Sequence, residues 1–132
     1  MTKLSRWIGL TLTWVAVIGS VAVLPGCKKE LEAPFDKGVC WHMVYDANQK
    51  VKFNRLAEKV PNMETCAARL EEMRLRFLRL GGNAREVTGA YQGNFIFVKL
   101  TGIFMAQTWE GPQYPALVRT EDGRLAIPGA VR

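Results

Sequence analysis

The chain has 132 residues, of which 48% are hydrophobic and 23% charged, enough for one modest core and too little for two. Its net charge is +6; Lys3 and Arg6 precede residue 27, leaving 16 cations against 12 acids after it. Cations and acids alternate along most of that length without a concentrated basic patch, so no nucleic-acid partner is expected.

Residues 1–6 carry two positive charges and no acid, and Trp7 to Leu24 is 18 residues without a charge. A basic start followed by an apolar stretch is the layout of an export signal. The same run is long enough to cross a bilayer uncut, which keeps an uncleaved inner-membrane anchor as the alternative. The run ends in Leu24-Pro25-Gly26-Cys27. In this sequence the chain resembles the bacterial lipoproteins: Leu24, Gly26 and Cys27 occupy lipobox positions, and Pro25 departs from the small residues usual there. The resemblance covers about the first 27 residues. It implies cleavage after residue 26, lipid on Cys27 and a membrane as first partner, on the periplasmic side. Lys28 stands where an Asp would signal inner-membrane retention, which tilts the expectation to the outer membrane. Residues 27–38, charged and broken by Pro34, read as a tether of up to roughly 30 Å.

Residues 39–132 read as a single α+β domain. Val39–Tyr45 and Val51–Leu56 are rich in β-branched and aromatic residues and flank a turn cluster, the pattern of a hairpin. Asn62 supplies an N-cap, Glu64 an acid in the first turn and Gly81-Gly82 a stop, which predicts a helix over Met63–Leu80. Cys66, Leu70, Met73, Phe77 and Leu80 fall on one stripe and are expected to face a core. Arg69, Glu71, Glu72, Arg76 and Arg79 make the polar side, interrupted by Ala68, Leu75 and Leu78. Glu86–Gln92 and Phe95–Leu100 read as strands around a Gly93-Asn94 turn, and Phe95-Ile96-Phe97-Val98, apolar on both faces, predicts an interior strand. Ile103–Trp109, Leu117–Glu121 and Arg124–Ile127 complete the strands, the last two joined across Asp122-Gly123. One helix packed on an antiparallel sheet of about six strands is the economical arrangement.

The three cysteines carry the most chemistry. Lipid on Cys27 accounts for the odd one and leaves Cys40 and Cys66 as a disulfide in an oxidising compartment. Cys40 and His42 lie two apart on a strand and point to one face, the arrangement of a thiol enzyme, but a sulfur held in a disulfide is no nucleophile. His42 is the only histidine and the acids lack metal-loop spacing, so neither a metal nor a cofactor is expected. Trp109 and Tyr114, around a loop with Pro112 and Pro115, and Leu75 and Leu78 on the outer helix side are the candidate binding residues. The expected function is a non-enzymatic, lipid-anchored module that binds another envelope protein or a cell-wall component. A small apolar-ligand carrier with a cavity between helix and sheet is the alternative, and a small thiol enzyme the third.

Overall fold

The computed structural model describes residues 19–20, 29–83 and 85–129. Cys27, most of the apolar run before it and the lipobox lie outside the described residues. The elements are β1 (Cys40–Tyr45), β2 (Val51–Ala57), α1 (Met63–Arg79), β3 (Val87–Tyr91), β4 (Asn94–Lys99), β5 (Gly102–Ala106), β6 (Tyr114–Arg119) and β7 (Leu125–Ala126). One helix packs on a seven-stranded sheet of order β2-β1-β3-β4-β5-β6-β7, with every neighbouring pair antiparallel. The α+β expectation holds, and the strand count is seven.

Strand alternation sorts the apolar residues into two clusters. Toward the helix lie Cys40, Val87, Tyr91, Ile96, Val98, Ile103 and Leu117, covered by Cys66, Ala67 and Leu70 of α1. Toward the other face lie Met43, Ala90, Phe95, Phe97 and Ala106, bordered by Trp41, Phe53, Phe104 and Trp109. β4 supplies both clusters and is the middle strand, which is why all four residues of Phe95–Val98 are buried.

The helix begins as its capping residues dictate: the Asn62 side chain accepts a hydrogen bond from the Thr65 backbone N–H at 2.8 Å. Its predicted stripe is buried only in part. Cys66 and Leu70 meet the sheet, whereas Phe77 is 47% and Leu80 80% exposed. Seventeen helical residues extend about 25 Å, longer than the five- and six-residue strands beneath, so the last turn projects past the apolar surface. Glu71, expected on the polar side, is instead buried with Arg74.

Three connections differ from the sequence expectation. The β3–β4 turn is Gln92-Gly93, with φ of 44° and 84°, and Asn94 is already paired with Tyr91. Positive φ at both turn residues is the type I′ signature, shifted one residue from Gly93-Asn94. The turn at Asp122-Gly123 is a longer loop, closed by the Thr120 N–H donating to the Arg124 carbonyl at 2.8 Å, with Gly123 at φ 81°. Tyr114 and Pro115, expected in a loop, start β6, where Pro115 lies opposite Phe104 beside an irregularity in the register. β7 pairs only with Val118 and Arg119, so the outer side of β6 at Pro115 is open and tolerates a residue without an N–H.

The segment read as a tether is docked over much of its length. Ala33 is buried and Leu31 half-buried against the helix-free face, and the Pro34 carbonyl accepts from the Gly93 N–H at 2.8 Å. The Phe35 ring lies where a Cβ on Gly93 would stand. A flexible chain pays entropy to dock, and here two apolar side chains and a backbone hydrogen bond offset it.

Candidate functional site

Cys40 and Cys66 are joined by a disulfide, with Cα atoms 5.3 Å apart, tying β1 to the first half of α1. Both are fully buried. His42 lies on the same face, half-buried, and burial pushes its imidazole pKa below the ordinary value. With the Cys40 sulfur bonded, no thiolate stands beside it. Among the described residues no group of three or more His, Cys, Asp or Glu side chains is placed to hold a metal ion.

The structure separates the candidate binding residues. Trp109 is half-buried, its ring edge-on to Phe95 at 5.4 Å and tilted on Phe97 at 5.6 Å. Its outer side borders an open cleft formed with Lys29, Glu30, Leu31 and Glu110. Tyr114 is exposed and pairs opposite Met105, whose neighbours Phe104 and Ala106 point toward the Trp109 cluster. Alternation therefore puts Tyr114 and Trp109 on opposite faces. Leu75 and Leu78 are exposed side by side above a shallow cleft with Arg79.

Beside Leu78 in sequence, Phe77 and Leu80 reach over the outermost strand. With Leu56, Met73 and Arg76 they line an open groove of about 280 Å³. The periodicity that assigned Phe77 and Leu80 to the core already contained them; what it lacked was the width of the sheet below.

Sequence reasoning also missed a buried charge cluster. The Glu71 carboxylate accepts from Arg74 Nε at 2.7 Å and Nη2 at 3.0 Å, and from Arg119 Nε at 2.7 Å and Nη2 at 3.0 Å. Arg119 further donates to the carbonyls of Lys99 and Leu100, tying α1 to β6 and to the β4–β5 turn. Burial alone would raise the Glu71 pKa, but the hydrogen bonds and charges of the two guanidiniums prevail and hold it at about 2. The detectable signal was Arg74 four residues after Leu70, on the buried side of the helix.

Two further cations sit on aromatic faces: Arg55 over Trp41 at 5.4 Å, and Lys99 over Phe104 at 5.4 Å and Phe97 at 5.8 Å. They cap the edge of the helix-free cluster and shield its rings from water. Trp41 Nε1 is buried without a hydrogen-bond partner. No helix among the described residues is long and apolar enough to cross a membrane. Comparison with protein-family models, with curated proteins and with solved structures finds no match.

Proposed function

We propose that this chain is a small lipid-anchored cell-envelope protein that acts as a non-enzymatic binding module. The observation that carries the binding role is the C-terminal end of α1, where Leu75, Phe77, Leu78 and Leu80 stand in water on a helix held by a disulfide and a buried ion cluster. Leu75 with Leu78 on one flank and Phe77 with Leu80 on the other exceed the scatter of single exposed leucines, and each pair offers a surface suited to a partner. Tyr114 offers a second, separate contact. The anchor rests on the uncharged run that ends at Leu24-Pro25-Gly26-Cys27. The groove beside the helix, about 280 Å³ and open along its length, is at the small end for an enclosed ligand and favours a docked segment over an apolar cargo.

Two measurements test the reading. Intact mass of membrane-extracted protein is expected to show residues 1–26 gone and acyl mass added at Cys27; a chain that retains Met1 without lipid rejects the anchor. Crosslinking in intact cells is expected to capture an envelope component, and L75S combined with Y114S is expected to reduce it while the domain still unfolds cooperatively. Unchanged capture by that folded variant rejects both surfaces.

A further inference from the structure

The two outer strands of the sheet differ. β7 contributes two residues, whereas β2 contributes seven and is hydrogen-bonded only to β1 among the described residues. One side of its backbone therefore carries a row of unused N–H and C=O groups. Edges of this length are usually shortened, bent or covered, because they accept another strand.

Beside that edge α1 supplies an apolar wall. Leu56, Met73, Arg76, Phe77 and Leu80 line the groove already described, and it continues into a second of about 260 Å³ lined by Leu56, Ala57, Arg69, Glu72, Met73 and Arg76. Phe77 and Leu80 share a helical stripe with the buried Cys66 and Leu70, yet they overhang the space next to β2 that an eighth strand would fill. An open strand edge flanked by a helix, with an apolar groove between them, is the arrangement that captures extended peptides: backbone groups pair along the edge and alternate side chains enter the groove.

Charge selects the occupant. β2 and its two ends carry Lys50, Lys52, Arg55 and Lys59, and the neighbouring helix side carries Arg69 and Arg76, against Asp46, Glu58 and Glu72. That is a net +3, while residues 29–129 together, with 14 cations and 12 acids, have +2. The net positive charge of the domain is thus carried by this rim. Arg55 is engaged by Glu58 at 2.6 Å, and Glu72 is shared between Arg69 at 3.7 Å and Arg76 at 3.4 Å, so the acids present are already committed. A second copy of the chain adding through its own β2 would bring two rims of the same positive charge together, and like-charge juxtaposition is unfavourable. An anionic lipid or phosphate would satisfy the cations but leave the backbone edge and the apolar groove unused.

We propose that β2 and the C-terminal half of α1 form a docking groove for an extended acidic segment of another polypeptide, which adds to the sheet as an eighth strand. Its alternate apolar side chains lie over Leu56, Met73, Phe77 and Leu80 on the helix side, and the carboxylates between them fall on the helix-free face, beside Arg55. The inference goes beyond the binding-module reading by placing a partner on the flank of the helix away from Leu75 and Leu78, and it does not depend on the lipid.

The test uses the full chain in detergent and a fluorescein-labelled peptide of alternating glutamate and valine, about nine residues long to span the strand. The peptide is expected to bind, to protect β2 amides from hydrogen exchange, and to lose at least about tenfold in affinity when alternate backbone nitrogens along one edge are methylated. Leu80→Glu, at a side chain 80% exposed and so neutral for folding, is expected to weaken binding by a similar factor. Arg55→Glu, with circular dichroism as the check on the fold, is expected to do the same. Equal binding of the methylated peptide, or of a lysine–valine peptide, would show adsorption and overturn strand addition. Binding to vesicles of phosphatidylglycerol and phosphatidylcholine with β2 amides left unprotected would assign the rim to a membrane and likewise overturn it. Absence of peptide binding together with retained crosslinking through Leu75 and Tyr114 would remove the groove and leave the binding module standing.

Discussion

Replacing Glu71 by alanine tests the buried ion cluster most directly. The substitution leaves Arg74, 4% exposed, with Nε and Nη2 stripped of their acceptor, and takes two hydrogen bonds from Arg119, which keeps the carbonyls of Lys99 and Leu100. Removing one member of a buried pair costs about 3–5 kcal/mol, because a charge stays behind without compensation. Partial exposure and the surviving carbonyl bonds of Arg119 favour the lower end, about 3 kcal/mol, a large fraction of the 5–15 kcal/mol typical of a domain. Urea unfolding followed by tryptophan fluorescence measures it, with an unchanged slope expected if only stability moves. Glu71→Leu combined with Arg74→Met should recover part of the loss, since it removes the charge stranded at Arg74 while Arg119 keeps its two carbonyl partners. A loss below about 1 kcal/mol in the alanine variant would place the cluster with ordinary surface pairs and refute the reasoning.

The same cluster sets a pH dependence. The Glu71 pKa is lowered on folding from 4.5 to about 2, so its stabilisation is fully present above 4.5 and is lost as pH falls from there toward 2; Glu71→Gln should abolish that part of the acid profile. The disulfide closes a separation of 26 residues, worth about 3.5 kcal/mol in the chain-entropy treatment, so a Cys40→Ala, Cys66→Ala variant should melt roughly 15–25 °C lower, and a shift of only a few degrees in calorimetry would argue against it. Gly89→Ala should cost about 1–3 kcal/mol in urea unfolding, because a Cβ there would overlap Leu70 and the Trp41 carbonyl; an unchanged midpoint would mean that the helix shifts freely on the sheet.

Particular residues show how far the sequence was readable. Cys40 and Cys66 were paired by elimination, and the interior strand by four consecutive apolar residues, two signals that survive any uncertainty about neighbours. The Gly93 turn was read one residue late because Gln92 takes a positive φ that sequence reasoning reserves for Gly and Asn. Glu71 and Arg74 were invisible as core residues, since isolated charges belong in water and only their meeting with Arg119, 48 positions away from Glu71, makes burial tolerable. Trp109 was read as one contact of a loop surface with Tyr114, but the register of β5 against β6 divides the two between faces. Phe77 and Leu80 needed knowledge of where the sheet stops. The binding groove, like the ion cluster, is a property of tertiary overlap, and local periodicity does not encode it.

The docking of residues 31–35 on the helix-free face also fixes a direction. If Cys27 carries the proposed lipid, only residues 28–30 separate it from the half-buried Leu31, a leash of roughly 10 Å at the ordinary reach of an extended chain. A leash that short is comparable to the depth of a lipid headgroup layer, so the domain would not swing through a hemisphere as a long linker permits. The side of the sheet from which the chain emerges would be turned to the bilayer, and the helix with its open flank would point away from it. Anchor and binding surface would then sit on opposite sides of one rigid slab, and the partner would be met from the aqueous side in a nearly constant orientation. Shortening or lengthening residues 28–30 would change the tilt of that slab before it changed its reach.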